Sequence, residues 1–186
     1  MEKLFKIVKD TSKSLRGKCQ EITDINEDVI KLVNDMHDYL KLTQDEEAQK
    51  KYNIREGVGI AAPQIGKNIR AIVVCYKDYD KDGNEFEVDH RLINPKITTE
   101  SVKEIYLSSG EGCLSVDEVH KGYVYRKFKV IVKAYDVKQR KEVYITARGF
   151  EAIVLQHEID HLNGILYYDH IDKKDPFKVK PDAVRL

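Results

Sequence analysis

Residues 156–164 read Gln-His-Glu-Ile-Asp-His-Leu-Asn-Gly, which places two histidines four positions apart with a glutamate directly after the first. On an α-helix, positions i and i+4 project from one face, so His157 and His161 can bind the same metal ion. Glu158 then lies beside the water that such an ion activates. The stretch therefore predicts a helix that carries part of a hydrolytic metal site and needs a third ligand from elsewhere in the chain.

The residues around this motif predict a buried helix over residues 149–163. Ile153, Val154 and Leu155 lead into the two histidines, and Gly164 follows as a left-handed cap. Apolar flanks of this kind place the histidines inside the protein. The helix alone leaves one alternative open, because two histidines and a glutamate can share a helix face by chance as packed or solvated residues.

A second segment, residues 110–116 (GEGCLSV), offers the third ligand. The Cys113 thiolate and two imidazoles make a Cys/His/His set, which leaves the fourth tetrahedral position for water. The other interpretation of a cysteine, a small buried hydrophobic residue, fits Cys19 and Cys75 better. An odd count of three cysteines in a chain without a secretion signal favours free thiols over a disulfide framework.

A third segment, residues 57–66 (GVGIAAPQIG), matches the GxGxxA form of a dinucleotide-binding fingerprint. The context excludes that function, because polar residues rather than a strand precede the segment and Pro63 falls where the phosphate-binding helix would propagate. A close-approach loop fits better, with glycines that let main chain lie against a ligand and the Gln64 amide directed into the site. A glutamine that only fixes a turn is the alternative for Gln64.

Length and charge restrict the class of protein. A chain of 186 residues fits a single catalytic domain, which we assign to residues 1–186, and can bury a core and a concave site. Lysine and arginine total 32, as do aspartate and glutamate, so no net charge attracts nucleic acid or an anionic membrane. Residues 1–19 contain no apolar run long enough for a signal peptide or membrane span, which predicts a cytoplasmic protein.

The rest of the pattern predicts an α+β fold. Asp24 is the predicted N-cap of an amphipathic helix over residues 25–42, with Glu27 three positions further on. The polar residues 43–56 are predicted to form a solvated helix end or surface insertion without a chemical role. The tail after Tyr168 carries two prolines, so we expect it to be extended.

Strands of a mostly antiparallel sheet are predicted at 71–76, 91–97, 129–135 and 142–147, with a turn at 77–84.

Together, residues 57–66, 111–116 and 156–164 resemble the three ordered motifs of the peptide deformylase family. The resemblance extends from Gly57 to His170. The polar segment before the first motif, the long connection to the second and the proline-bearing tail are similar to the family's second type, typical of low-GC Gram-positive bacteria and their wall-less relatives. The resemblance implies an α+β fold in which antiparallel or mixed sheets surround a central HExxH helix, with an N-terminal helix and an extended C-terminal tail.

The resemblance also implies an activity, which is removal of the N-terminal formyl group from the formylmethionine of nascent polypeptides with release of formate. By the same resemblance, Cys113, His157 and His161 bind one divalent ion. That ion is usually iron(II) in the family, with zinc, nickel or cobalt able to replace it, whereas the residues alone would favour zinc. The implied partners are formylated nascent peptides, and the nature of this substrate alone places the encounter near the ribosomal exit. A monomer is expected on a different ground, since the sequence shows no long exposed apolar stripe.

The resemblance assigns three further residues to the reaction. Glu158 matches the catalytic base and acid, while Gln64 and the backbone N–H of Leu114 match the groups that stabilise the oxyanion. Each role has a physical reason, because water must lose a proton, the leaving amine must gain one, and negative charge grows on the carbonyl oxygen.

Substrate binding is implied as well. In the family pattern, main chain near Gly59 and Gly110 pairs with an extended peptide as an added strand would. Glu111 is a candidate partner of Arg126 that would brace the cysteine from behind, and a surface ion pair is the alternative. The candidates for an apolar pocket that accepts the methionine side chain are Val58, Ile153, Val154 and the ring of His157.

Two other classes of protein stay open at this point. A zinc peptidase of HExxH type would use Glu158 on an internal peptide bond, but its further ligand is usually glutamate or histidine, so Cys113 argues against it. A non-catalytic module would close the fourth zinc position with another Cys or His, and neither Cys19 nor Cys75 lies in a ligand-like loop. The remaining histidines are expected at the surface or in packing positions: His37, His90, His120 and His170.

Overall fold

A computed structural model describes residues 4–186, so the first three residues of the predicted domain lie outside the described part. The helices of this part are α1 (Glu27–Leu42), α2 (Glu46–Tyr52) and α3 (Phe150–Leu162). The strands are β1 (Gly59–Ala61), β2 (Ala71–Tyr79), β3 (Glu85–Glu100), β4 (Glu104–Tyr106), β5 (Arg126–Lys127), β6 (Lys129–Asp136), β7 (Lys141–Arg148) and β8 (Val184–Arg185). Short 3-10 turns occur at Lys13–Arg16, Ala62–Ile65 and Tyr167–His170.

The strands form two sheets. In the larger one, β1, β2, β3, β6 and β7 lie side by side in that order, and every neighbouring pair is antiparallel. In the smaller one, β4 lies between β5 and β8, antiparallel to the first and parallel to the second. The predicted α+β fold with mostly antiparallel pairing is therefore confirmed.

Helix α1 starts later than the sequence pattern predicted. Its N-cap is Asn26, whose side chain accepts a hydrogen bond from the Val29 N–H at 3.1 Å, and Asp24 does not take that role. Asn and Asp cap helices about equally well, so the position at which the chain turns decides between them. Apolar side chains at helical spacing then bury against the larger sheet: Ile30, Val33, Met36 and Leu40.

Strand β2 separates two hydrophobic cores. Because successive side chains of a strand point to opposite faces, Ile72 and Val74 join the core that contains α3, whereas Val73 and Cys75 join the core beneath α1. Helices α1 and α3 thus lie on opposite faces of one sheet. This arrangement holds α3 directly against the sheet edge formed by β1.

The sequence located four strands of the larger sheet and misjudged their ends. Strand β2 continues to Tyr79 and β3 begins at Glu85, so the predicted turn at 77–84 shrinks to its centre. The hydrogen bonds between β2 and β3 join backbone groups, so the strands continue through polar residues that the side-chain pattern did not mark as strand. In the shortened turn, the Asp80 carboxylate accepts hydrogen bonds from the Asp82 and Asn84 N–H groups at 2.8 and 2.9 Å. Strand β1, predicted as loop, was missed, as were the short strands of the smaller sheet.

The polar segment and the tail follow the expected course in outline. Helix α2 occupies the middle of residues 43–56 and is capped by the Asp45 side chain. After the turn Tyr167–His170, the tail runs without a long helix and ends in β8, which pairs with β4. Within residues 4–186, none of the helices has the length and apolar character needed to cross a membrane.

Candidate metal centre

Helix α3 and the cysteine-bearing segment meet at the predicted metal site. The ligand atoms of Cys113, His157 and His161 all lie within 4.8 Å of one another, and Cys113 Sγ is 3.3 Å from His161 Nε2. In the described part of the chain, no other group of three or more His, Cys, Asp or Glu side chains converges in this way. The fold therefore brings the three predicted ligands together, although Cys113 and His161 are 48 positions apart in the sequence.

A buried ion pair orients the first histidine. The Nδ1 atom of His157 lies 2.8 Å from Glu111 Oε2, and both oxygens of Glu111 accept hydrogen bonds from Arg126 at 2.9 and 3.0 Å. Burial disfavours the charged carboxylate, but the hydrogen bonds from His157 and Arg126 hold the pKa of Glu111 at about 2. An ionised Glu111 keeps the proton of His157 on Nδ1, which leaves the Nε2 lone pair for a metal.

The predicted Glu111–Arg126 pair is confirmed, and it is not a surface pair. The side chains of Arg126 and Glu111 are only 3% and 4% exposed. Arg126 also pairs with Asp160, whose Oδ2 atom lies 2.7 Å from His170 Nε2. The buried guanidinium of Arg126 thus links Glu111 of the cysteine-bearing segment to Asp160 of helix α3.

Replacing Arg126 with methionine is expected to destabilise the fold by about 3–5 kcal/mol, because it leaves the buried Glu111 carboxylate without its countercharge. The affinity for metal should fall by about 10–100-fold, since Glu111 would no longer be fixed beside His157. Thermal unfolding and competition with a chelator measure the two effects. The matched control is Arg140→Met, which removes an exposed arginine paired with Glu27. An Arg126→Met protein as stable as this control would contradict the prediction.

The second histidine has the properties of a neutral ligand. His161 is fully buried, and burial together with the neighbouring His157 lowers its pKa well below the usual value. Among residues 4–186, its Nδ1 atom has no hydrogen-bond partner. A thiolate with two imidazoles suits zinc and iron(II), so these donors fit a divalent ion of that kind.

Glu158 lies beside the ligands in a dry environment. Its side chain is buried, burial raises the pKa of its carboxyl group to about 7, and its Oε2 atom has no hydrogen-bond partner in the described part of the chain. A carboxyl group with a pKa near neutrality can both accept and release a proton. The unpaired Oε2 oxygen is available for a water or substrate atom in the site.

Gly59 on β1 is in contact with this carboxylate. A β-carbon at position 59 would lie 2.8 Å from both Cγ and Cδ of Glu158, and closer still to Oε1. This close approach explains why the GVGIAAPQIG motif has a glycine at position 59. The sequence predicted close approach by the glycines of this motif, but toward a ligand and without naming the contact with Glu158. Strand β1 and helix α3 can pack this tightly only without a side chain at that point.

Substituting Gly59 with alanine is expected to lower kcat by about a hundredfold, since displacement of a reacting group by about 1 Å is enough for that loss. The backbone of residue 59 is extended, so the effect comes from the overlap with Glu158 and not from a strained conformation. Steady-state kinetics measures it. Gly17→Ala is the control, because a β-carbon there meets its nearest neighbour at an ordinary 3.8 Å. Equal kcat values for the two variants would refute the steric argument.

Gln64 is held in one orientation by its own turn. Its Oε1 atom accepts a hydrogen bond from the Ala61 N–H at 2.8 Å, which directs Nε2 toward Cys113 Sγ at 3.4 Å and Ser115 Oγ at 3.2 Å. The side chain is 1% exposed. The amide therefore reaches the cysteine of the converging group, and Gln64 does more than fix a turn.

Leu114 follows the cysteine in a tight turn closed by the Val116 N–H, which donates to Cys113 O at 3.2 Å. Among residues 4–186, the Leu114 N–H donates no hydrogen bond. An unpaired main-chain donor next to the cysteine matches the role that the resemblance assigned to it.

A cavity of about 390 Å³ opens onto these groups. It is lined by the predicted pocket residues Val58, Gly59, Glu111, Ile153 and Val154. Gly110, which was predicted to pair with substrate, is not among the lining residues. The lining residues that were not predicted from the sequence include Arg55, Glu56, Leu107 and Phe150.

The sequence offers different evidence for each of the lining residues that were not predicted. Phe150 lies three and four positions before Ile153 and Val154, so helical spacing, applied to these two residues of the family pattern, would have found it. Leu107 lies just after β4, with no pattern to mark it. Arg55 was overlooked because residues 43–56 were predicted to have no chemical role, yet its guanidinium contacts the cysteine-bearing segment.

The other histidines contribute no ligand to the converging group among the described residues. His37 contacts Arg91, His90 contacts Glu151, and the ring of His120 packs against that of Tyr168. These are packing positions, as predicted. His170 is the one that adjoins the site indirectly, through Asp160.

A largely buried Cys/His/His set with an adjacent buried glutamate and an open cavity, built on an α+β fold, defines a metal-dependent hydrolase. The model of the polypeptide deformylase family matches residues 4–177, and the chain belongs to this family. A peptide deformylase from Macrococcus caseolyticus is 48% identical over 181 residues, which cover 97% of this chain and 96% of that protein. Its source is a low-GC Gram-positive bacterium, as the resemblance indicated.

Solved structures agree with this result. The crystal structure of peptide deformylase from Ehrlichia chaffeensis superposes with a TM-score of 0.76 at 30% identity, covering 92% of this chain and 90% of that chain. The Met-Ala-Ser-bound structure of class I type b peptide deformylase from Acinetobacter baumannii gives a TM-score of 0.70 at 29% identity, covering 92% and 100%. The similarity thus extends over nearly the whole fold.

Proposed function

We propose that this protein removes the N-terminal formyl group from formylmethionine of nascent polypeptides and releases formate with a free amino terminus. The observation that carries the proposal is the convergence of Cys113, His157 and His161 beside the buried Glu158. Membership of the polypeptide deformylase family supports the same activity.

One divalent ion per chain is proposed for this site, held by Cys113, His157 and His161. When bound, the ion supplies Lewis acidity and lowers the pKa of water in the site, which allows hydrolysis near neutral pH. We propose iron(II) as the ion in the cell, with zinc, nickel or cobalt able to replace it. The soft thiolate suits iron(II) and also makes the site sensitive to oxygen.

Glu158 is the proposed proton carrier. As the water oxygen bonds to the formyl carbon, the unpaired Oε2 of Glu158 accepts the proton that the water loses. The carbon–nitrogen bond then breaks, and Glu158 passes the proton to the amine nitrogen. The products are formic acid and a peptide with a free amino terminus, and the carboxylate returns to its starting form. Formic acid then loses its remaining proton to the solvent at neutral pH and leaves as formate.

Two donors are proposed to stabilise the charge on the formyl oxygen. The Nε2 atom of Gln64 is fixed by the Ala61 contact, and the Leu114 N–H is unpaired among the described residues. Donors that are oriented before the reaction strengthen their hydrogen bonds as the oxygen becomes negative, without a cost in reorganisation. Both groups lie in a largely buried part of the cavity wall.

The cavity is proposed to accept the methionine side chain, between apolar residues of α3 and the edge of the sheet. Main chain near Gly59 and near Gly110 is proposed to pair with the extended peptide. The Acinetobacter baumannii relative was solved with Met-Ala-Ser bound, which is the sequence expected of a deformylated product. The proposed pocket residues are Val58, Leu107, Phe150, Ile153, Val154 and the ring of His157.

The proposed setting of this activity is the cytoplasm, close to the ribosomal exit where nascent peptides emerge. A monomer is sufficient, because one chain supplies all three ligands and Glu158. No binding of nucleic acid is proposed, since the balanced charge of the chain provides no electrostatic attraction for it.

The test is formate release from formyl-Met-Ala-Ser by iron-loaded protein purified without oxygen. Unformylated Met-Ala-Ser and a longer internal peptide are the controls for peptide-bond cleavage. We expect formate in amounts equal to the new amino termini and no internal cleavage. Internal cleavage without formate would instead indicate a peptidase, and bound metal with neither activity would indicate a structural site.

A further inference from the structure

Residues 113–116 are here called the cysteine segment. Each of their four carbonyl groups accepts a hydrogen bond from a residue that is not a metal ligand. Arg55 donates to the carbonyl oxygens of Cys113, Leu114 and Val116 at 3.1, 2.7 and 3.1 Å. The remaining carbonyl, that of Ser115, accepts from the Asp10 N–H at 2.9 Å. One side chain therefore holds three of four successive carbonyl groups.

A planar guanidinium is required for this arrangement. Its donors lie in a rigid fork, so Arg55 can bond several acceptors at once, while a lysine ammonium acts as a compact point charge. Asp117 Oδ1, 3.1 Å from Arg55 Nη2, adds a countercharge that helps to fix the guanidinium. The Arg55 side chain is half exposed, whereas Leu114 is 9% exposed, so the guanidinium covers the segment from the solvent side.

The contact with the Cys113 carbonyl has a direct consequence for the neighbouring N–H. The carbonyl of Cys113 and the N–H of Leu114 belong to the same planar trans peptide unit and point in opposite directions. Fixing the oxygen therefore fixes the direction of the N–H. A cationic donor on the oxygen also polarises the peptide unit, which strengthens its N–H as a donor. The Val116 N–H bonds the same oxygen at 3.2 Å, but it is a neutral donor, so the positive charge comes from Arg55.

We propose that Arg55 is a positioning residue for deformylation, which acts through the Cys113–Leu114 peptide unit to orient and polarise the Leu114 N–H. This inference rests on the proposed function, in which that N–H stabilises the oxyanion. Arg55 also lines the cavity, but in this proposal it acts through the main chain of the cysteine segment and is therefore a positioning residue and not a catalytic one.

Lys9 gives partial support to the same segment. Its Nζ atom donates to Leu114 O at 3.2 Å and to Asp117 Oδ1 at 2.8 Å. It does not contact Cys113 O, so it cannot replace Arg55 at the peptide unit that carries the Leu114 N–H. Loss of Lys9 should therefore affect the rate much less than loss of Arg55.

The experiment compares Arg55→Met, Arg55→Lys and Lys9→Met in metal-loaded protein, with formyl-Met-Ala-Ser as substrate. Arg140→Met is the matched control, because Arg140 is also an exposed, ion-paired arginine but lies at Glu27. We expect Arg55→Met to lower kcat by about tenfold or more with KM nearly unchanged, a smaller effect than the complete loss of an oxyanion donor. Arg55→Lys should recover part of the loss.

Two further readouts separate positioning from a general structural role. Hydrogen–deuterium exchange in Arg55→Met should increase in the peptide that covers residues 110–117, while exchange in α3 stays at the parent level. Metal content should also stay stoichiometric. These measurements do not depend on turnover.

Three results would overturn the inference. One is a kcat of Arg55→Met within twofold of Arg140→Met, and another is a rise in KM with kcat unchanged, which would place Arg55 in substrate binding. The third is loss of metal in step with loss of rate, which would mean that Arg55 supports the Cys113 ligand only. A parent protein that releases no formate would refute the proposed function itself and is distinguishable from all three.

Discussion

Replacing Glu158 with glutamine is expected to lower kcat by about 10²–10⁴-fold, the usual contribution of a positioned general acid and base. Glutamine has nearly the same shape, but its amide cannot accept the proton from water or deliver one to the leaving amine. Because Glu158 is buried beside the ligands and is not one of them, bound metal should remain stoichiometric. Formate release and metal content, measured on the same preparation, test both parts.

The matched control for this variant is Glu151→Gln on the same helix. Glu151 lies on the partly exposed side of α3, where its carboxylate pairs with His90 at 2.7 Å. We expect this control to keep the parent rate. A Glu158→Gln protein that retains more than a tenth of the parent kcat would assign the proton transfer to another group.

Replacing Cys113 with alanine is expected to reduce metal affinity by more than about 100-fold. Removing a residue that only hydrogen-bonds to a metal ligand already costs up to about 100-fold, and Cys113 is itself a predicted ligand. Activity at limiting metal should disappear with the ion, since two imidazoles cannot hold it as three donors do. Competition with a chelator measures the affinity. In the cobalt-substituted protein, the absorption that arises from a thiolate ligand should also disappear.

Cys75→Ala is the control for the cysteine variant. Cys75 is buried in β2, where burial raises the pKa of its thiol to about 11, and it is not part of the converging group. This variant should keep bound metal and the thiolate absorption. If Cys113→Ala bound metal as tightly as Cys75→Ala, the third ligand would have to come from another residue.

The elements near the site show how far the sequence could be interpreted. Helix α3 was predicted within one residue at each end, because apolar flanks and the glycines around it are local signals. Strand β1 was missed, since a run of only three residues has no alternating pattern of its own, although it pairs with the next strand along the chain. The polar segment before β1 was predicted correctly as mainly solvated, while Arg55, which reaches the site from its end, has no distinguishing signal.

The contacts that organise the metal site were also only partly predictable from the sequence. The Glu111–Arg126 pair could be suggested from the sequence, but only the fold shows that both side chains are buried and that Asp160 joins them. The substrate wall shows the reverse case. Main chain near Gly110 was expected to pair with the peptide through the family pattern, and that pairing stays a prediction, since Gly110 is not among the residues that line the cavity.

The sequence by itself determined the chemistry of this protein. His157, Glu158 and His161 are fixed relative to one another by the geometry of a single helix turn, so their spacing in the chain is enough to predict their arrangement. Cys113 was predicted as the third ligand from its own motif, and the fold brings it to that helix. Only the tertiary structure decided the contacts of Gly59 with Glu158 and of Arg55 with the cysteine segment. Such contacts depend on how sheet and helix pack, and spacing along the chain carries no record of that packing.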